Sequence, residues 1–280
     1  MALKTPVVDR IPTYPGRVKL TPVSGQTNTY DLVRADQPIA EGTPINKALF
    51  DQKAYTLTED VILYVSTTGN DTTGNGTSSA PYATIQKAID SLPKWLDGHM
   101  ASIDIKEGTY NEILELDGFQ GGILSIGNPG RAITVRGVVV STSNIVRLDF
   151  NITGNSLLSN AALTVRNGSI VDIGGEMVID AASLGLPGIW ADSGSMVITG
   201  YDLFGLLKNT IKNCTTAVFA TGCSRIQLAA VAGSNNTTGF YADSGSVITY
   251  GSRTLTATTL HVTSNGGRIY TGSQTNVGVY

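Results

Sequence analysis

Gly188-Ile-Trp-Ala-Asp-Ser-Gly-Ser-Met-Val-Ile-Thr-Gly200 and Gly239-Phe-Tyr-Ala-Asp-Ser-Gly-Ser-Val-Ile-Thr-Tyr-Gly251 lie 51 positions apart and are identical at seven of thirteen places. A weaker copy, Ala217-Val-Phe-Ala-Thr-Gly-Cys-Ser-Arg-Ile-Gln-Leu-Ala229, stands between them. Others occur at Ala162–Gly174 and Leu260–Gly272. The copies start 26, 29, 22 and 21 residues apart, a period that means a solenoid. Each copy reads as an apolar or β-branched run, a small polar corner and a second alternating run, that is strand, turn, strand.

Stacked copies place Val171, Val197, Ile226, Ile248 and Ile269 in one inward column, with rungs about 4.8 Å apart. Gly168, Gly194, Gly245 and Gly266 fall at the corner, where a positive φ is expected. The fold class is all-β, a parallel β-helix of about seven to nine rungs.

Composition bounds the remaining possibilities. The 280 residues, 41% of them hydrophobic and 32 of them Gly, suit a packed all-β chain with many turns. A formal charge of -3 without a Lys/Arg run gives no nucleic-acid surface. No apolar run approaches a membrane span, and Met1–Pro6 leads into charged, Pro-rich sequence without a signal-peptide pattern, which reads as a chain made in the cytoplasm. Cys214 and Cys223 read as buried thiols rather than a disulfide scaffold. With only His99 and His261, zinc has no support, and the sequence assigns no cofactor.

Three segments are expected. Residues 1–60 hold six of the ten prolines and form a small module that docks on another protein. In it Arg17–Thr21 and Thr29–Arg34 read as short exposed strands, and Thr43-Pro44 opens a helix through Ala54. Residues 61–100 hold a linker strand, a Gly/Asn/Thr loop and a helix capped by Thr84 or Ser79. Its Ile85, Ala88, Ile89 and Leu92 share one face and close the end of the β-helix. Residues 101–280 are the β-helix, opening with Ile103–Tyr110.

Tyr64–Asp90 followed by Ile103-Asp-Ile-Lys-Glu-Gly-Thr-Tyr110 resembles the opening of the right-handed parallel β-helix of pectate-lyase-like proteins and phage tailspikes. The head, Thr5–Val23 with Glu41–Phe50, resembles N-terminal segments of tail proteins from phages and prophages of Gram-positive bacteria. The resemblance implies a virion component, a tail fibre, tailspike or baseplate-associated protein. By it, residues 1–60 attach to other tail or baseplate proteins, copies associate as a trimer, and the β-helix reaches a host-surface glycan or another subunit. A polysaccharide-degrading tailspike and a non-catalytic glycan-binding module are the rivals, because this scaffold serves all three.

Two sets of side chains are candidate site residues. Asp192 and Asp243 share a column two rungs apart with Thr221 between them, roughly 9 to 10 Å from rung spacing, the upper edge of inverting-glycosidase geometry. A structural reading competes with catalysis, because a short acceptor before Ser-Gly bonds nearby backbone and no third catalytic residue stands out. Trp190, Phe219 and Tyr241 form an aromatic column between Thr164 and Val262. Facing inward they are core; facing outward they make a ligand or subunit surface. The Gly69–Gly76 loop has oxygen ligands for Ca²⁺ but lacks a calcium-binding spacing and reads as a turn-rich loop. Lys106, Glu107, Glu112, Glu115 and Asp117 are assigned no chemistry. Arg131, Arg136, Arg147 and Arg166 lack the acidic cluster that a β-helix lyase needs beside its base.

Overall fold

The computed structural model describes residues 11–12, 18–25, 27, 30–34, 38–40, 56–154, 160–199 and 208–272. The chain divides into two compact units, Met1–Tyr55 and Thr56–Tyr280. In the first, β1 (Ile11–Pro12) pairs antiparallel with β4 (Pro38–Ala40), and β2 (Val18–Pro22) pairs with β3 (Tyr30–Arg34). The strands expected at 17–21 and 29–34 are thus the two arms of one hairpin. The helix expected after Thr43-Pro44 lies outside the described residues.

The second unit is a parallel β-helix. After β5 (Val61–Val65) and helix α1 (Ile85–Ser91), the first turn is β6 (Met100–Ile105), β7 (Gly108–Thr109) and β8 (Ile113–Asp117). The second turn is β9 (Ile123–Gly127), β10 (Ile133–Val135) and β11 (Gly137–Ser141). The third is β12 (Val146–Asp149), β13 (Asn151–Thr153) and β14 (Leu163–Arg166). The fourth is β15 (Ile170–Ile173), β16 (Val178–Asp180) and β17 (Ile189–Ala191). The fifth is β18 (Met196–Thr199), β19 (Asn209–Lys212) and β20 (Thr216–Ala220). Single long strands, β21 (Arg225–Ala242) and β22 (Val247–Thr263), wrap the sixth and seventh turns, and β23 (Arg268–Thr271) follows. Every strand pairing in this unit is parallel, giving three ladders that we name faces A, B and C in chain order within a turn.

The sequence repeat covers face C, the corner and face A. Face B was not legible, because its strands in the first five turns are only two to four residues long and the connections beside them vary in length.

On face A, Val61, Ala101, Leu124, Val146, Val171, Val197, Ile226, Ile248 and Ile269 stack in register, and all but the two end members are fully buried. Face B contributes Val135, Ile152, Ile179 and Ile211. Face C contributes Leu114, Val138, Leu163, Ile189, Val218 and Phe240. These columns meet in one core, so each turn buries its apolar side chains against the turns before and after it.

The corner from face C to face A carries two consecutive left-handed residues: Asn167-Gly168, Ser193-Gly194, Gly222-Cys223, Ser244-Gly245 and Asn265-Gly266. The glycine column therefore has the positive φ expected of it, and Cys223 holds that backbone position in its own copy. The next residue forms a ladder that the sequence reading missed. Ser143, Ser169, Ser195, Ser224 and Ser246 are buried, and backbone N–H groups one turn earlier donate to four of their hydroxyls at 3.0–3.1 Å: Phe119 to Ser143, Ser143 to Ser169, Ser195 to Ser224 and Ser224 to Ser246. Backbone donors that no strand partner reaches are satisfied this way.

Helix α1 closes the first turn. Thr84 caps it, accepting from the Lys87 N–H, and Ile85, Ala88 and Ile89 are buried. Glu112 accepts from the Ile85 and Gln86 N–H groups at 3.1 and 2.9 Å, satisfying two donors the helix leaves free. The Gln86 amide then imitates a strand, donating to the Glu115 carbonyl and accepting from the Glu115 N–H. Asp71 accepts from the Ala83 and Thr84 N–H groups and the Thr84 hydroxyl. Asn70 and Asn75 in the Gly69–Gly76 loop likewise accept from Thr72, Thr73 and Thr77, so these oxygens brace the loop's own backbone.

Both cysteines are free thiols. Cys214 is buried as expected and donates to the Lys212 carbonyl at 3.0 Å, and burial pushes its pKa up to about 12. Cys223 is exposed, contrary to the buried reading, because its corner turns outward. A thiol reagent at pH 8 is expected to modify Cys223 quickly and Cys214 only after denaturation. Titration of one fast thiol in buffer and two in urea checks this; two fast thiols in buffer contradict it.

Candidate functional site

The parity of the aromatic column is settled by the alternation of face C. Leu163, Ile189, Val218 and Phe240 on one side, and Val165, Ala191, Ala220 and Ala242 on the other, are buried. Trp190, Phe219 and Tyr241 between them point outward and are partly exposed. They lie in direct register, Thr164 to Trp190, Trp190 to Phe219, Phe219 to Tyr241 and Tyr241 to Val262.

The Trp190 and Phe219 rings are 6.1 Å apart at 13°, and those of Phe219 and Tyr241 are 4.9 Å apart at 27°. Stacking along the axis uses the ring faces on one another. Phe219 has no face left for a sugar ring, and what the column offers outward is ring edges. Such an edge row suits packing against another surface better than flat sugar stacking. Tyr241 shares a hydrogen bond with the Ser264 hydroxyl, whereas the Trp190 Nε1 and Thr164 Oγ1 are buried without a partner.

Asp192 and Asp243 do share a column two turns apart, since Ala191, Ala220 and Ala242 before them are in register. Their surroundings are those of corner braces. The Asp243 carboxylate accepts from Ser264 Oγ at 2.5 Å, Asn265 Nδ2 at 2.7 Å and Ser244 Oγ at 3.1 Å. The hydrogen bond from Ser264 leads the causes that hold its pKa below the usual carboxylate value. Asp192 accepts from its neighbour Ser193 at 2.9 Å. Asp243, whose charged form is held by three side-chain donors, is a poor proton donor.

A different group of ionisable side chains, which the sequence reading did not assemble, gathers on the outer surface of face A and its corner with face B. Register places Arg147 beside Asp172, with Arg147 Nη2 3.1 Å from Asp172 Oδ2. The second Asp172 oxygen is buried without a partner. Arg131 Nη1 donates to Asp104 Oδ1 at 2.5 Å and to the Ile105 carbonyl at 2.9 Å. Asp149 is only 9% exposed, and its oxygen lies where a Cβ on Gly174 would sit. Sequence spacing hid this cluster because each member is an ordinary outward strand or corner residue. Only the glycine at 174 makes room for a side chain from the preceding turn.

Burial, above all, raises the pKa of Asp149; Asp172 adds to the rise and Arg147 opposes it. Asp172 is raised chiefly by burial too. A carboxyl with a raised folded-state pKa contributes stability that is complete below the ordinary carboxylate range and is lost as pH rises through the raised value. Asp149→Asn is therefore expected to raise the thermal midpoint at pH 7, with the gain shrinking toward pH 4. Scanning calorimetry at both pH values checks this; a lower midpoint at pH 7 contradicts it.

Among the described residues no group of three or more His, Cys, Asp or Glu is placed to hold a metal ion, and no helix is long and apolar enough to cross a membrane. No family model, curated protein or solved structure matches the chain.

Proposed function

We propose that this chain is a structural component of a phage tail or a phage-derived tail-like particle, attached through residues 1–60 and projecting its β-helix toward a host surface or neighbouring subunits. The observation that carries the reading is the unbroken parallel ladder through seven turns, closed at its first turn by α1. Each turn's backbone is hydrogen-bonded to the next, which gives reach and stiffness without a large cross-section. The N-terminal unit supports an attachment role, because its β2–β3 hairpin exposes Leu20 and Tyr30 at 58% and 54%. The edge row of Trp190, Phe219 and Tyr241 supports self-association along the flank, which we assign to a trimer. The resemblance of Thr5–Val23 with Glu41–Phe50 to phage and prophage tail proteins, and of Tyr64–Asp90 with Ile103–Tyr110 to the β-helix opening of pectate-lyase-like proteins and tailspikes, supports the choice of particle.

Immunogold electron microscopy of particles from the source strain tests the reading. Label at a fixed place on the tail, together with a trimeric mass for the purified full chain, is expected. Particles without label would overturn the tail assignment, and a monomeric mass would overturn the trimer. Release of reducing ends from host wall polysaccharide by the purified protein would replace the structural role with an enzymatic one.

A further inference from the structure

The outward position at the start of face A carries an aliphatic stripe. Register puts Met100 beside Ile123 and Ile170 beside Met196, and Ile145, the residue before Val146, stands between Ile123 and Ile170. Met100, Ile123 and Ile145 are 42%, 36% and 44% exposed, and Ile170 and Met196 are half-buried. Trp95 is exposed too and extends the stripe, because its ring lies 3.1 Å from where a Cβ on Gly121 would sit, two residues before Ile123. Five successive turns thus present an unbroken apolar line to the outside, which marks a surface that packs against something. The line ends at Arg225, which Val247 and Arg268 follow in register.

On the other side of the corner, the outward column of face C begins with Glu115 and is then uncharged: Val139, Thr164, Trp190, Phe219, Tyr241 and Val262. The two columns match turn by turn. In turns two to five, Ile123, Ile145, Ile170 and Met196 have Val139, Thr164, Trp190 and Phe219 as counterparts. In turn six stands the first charge of the stripe, Arg225, and its counterpart is Tyr241, with Asp243 two residues on. In turn seven Val247 has Val262. Arg225 makes no ion pair among the described residues.

We propose that the stripe is covered by a second copy of this chain, packed against that copy's Trp190, Phe219 and Tyr241 column, so that neighbours join stripe to aromatic row around a closed, parallel ring. The proposal rests on the self-association assigned above to the aromatic row and names the surface that row meets. Rotation about an axis parallel to the β-helix involves no shift along it, so each turn of one copy meets the same turn of the next, and head-to-tail contacts of this kind close into rings. The turn-by-turn match is what that symmetry requires. Both columns advance by ~4.8 Å per turn, so ring edges can seat between aliphatic side chains over turns two to seven, a length of ~24 Å. Arg225 arrives where charge complementarity places it, at the Tyr241 ring and the Asp243 carboxylate of the neighbour. Pairing two aromatic rows across a two-fold axis would instead leave the stripe bare.

Sedimentation of the full chain and cysteine cross-linking test this. Ile145→Lys puts a charge at an exposed position and is expected to weaken self-association by ~tenfold or more while leaving the thermal midpoint unchanged. Met196→Cys together with Phe219→Cys, in a chain lacking Cys214 and Cys223, is expected to give covalent multimers on oxidation. Either cysteine alone is expected to give none, because the two sulfurs meet only across a stripe-to-row contact. Unweakened association of Ile145→Lys, or no multimers from the cysteine pair, would overturn the proposal and leave self-association through another surface standing. Multimers from Phe219→Cys alone would show that aromatic rows face each other and would overturn it as well. A monomeric parent chain would remove the self-association reading and this proposal together. Should Ile145→Lys fail to fold, the cysteine pair decides by itself.

Discussion

Replacing Gly233 with alanine is expected to destabilise the β-helix by about 3 kcal/mol or more, because the new methyl meets backbone instead of a movable side chain. Gly233 lies on face B of the sixth turn, where β21 shifts register against β22 between Gly233 and Asn236. A Cβ there would overlap the Ile211 carbonyl oxygen of the turn before, and φ of 154° is unfavourable for any residue but glycine. No rotamer relieves this, so turns five and six must separate. Gly245→Ala is the matched control. Its φ is 73°, but the nearest atom to its Cβ is the Cys223 sulfur at 3.5 Å, so only the conformational penalty of about 1–2 kcal/mol remains. Urea unfolding followed by circular dichroism should rank the two in that order; equal losses would mean the close approach at Ile211 is not real.

Ile226→Asp is expected to be the most damaging single change in the face A column. Ile226 is fully buried between Val197 and Ile248, with no cation or donor beside it. An uncompensated carboxylate in such a place costs about 5 kcal/mol or more, comparable to the whole stability of many domains. Because a solenoid is held by contacts between adjacent turns, the damage should be local at first. Limited proteolysis is expected to remove the sixth and seventh turns and leave a resistant fragment that contains α1 and the early turns. Ile226→Val keeps the column apolar and should cost only about 0.5–1.5 kcal/mol. An Ile226→Asp chain as protease-resistant as the parent would show that this position faces water.

The repeat was legible because the same chemistry recurs at the same corner: Asp-Ser-Gly-Ser twice, Asn-Gly-Ser once, each followed by a β-branched inward residue. Two periodic columns suffice to place faces C and A. The capping role of α1 was also legible, from the spacing of Ile85, Ala88, Ile89 and Leu92. What spacing could not give was anything created by stacking residues from different turns at variable separation. Glu112 reads as one charge among several, yet it caps α1 from 26 and 27 residues away. The buried serines read as turn residues, and their ladder exists only once Ser143, Ser169, Ser195, Ser224 and Ser246 are superposed.

The candidate sites divide the same way. Periodicity aligned Trp190, Phe219 and Tyr241 but could not choose their side, because the columns on both flanks are apolar. The structure turns them outward and spends their faces on one another. It fixes Asp243 as a corner brace through Ser264 and Asn265, residues of the following turn. Asp149 carried no signal at all in one dimension. Its burial depends on Gly174 in the turn after it, and its charge on Arg147 and Asp172, which stand on adjacent turns of face A.

The central claim is that successive turns stack with like positions in line. On the outer side of face A, Ser125, Arg147, Asp172, Ile198, Gln227, Thr249 and Tyr270 are in register, one per turn. Pulsed electron-spin distance measurement on labels at Ser125 with Ile198, and at Ser125 with Tyr270, in a background lacking Cys214 and Cys223, tests this directly. The account predicts backbone separations of ~14 Å over three turns and ~29 Å over six, a doubling set by the strand spacing. Two distances that do not scale with the number of turns would contradict the stacked coil, and the columns, corners and sites built on it.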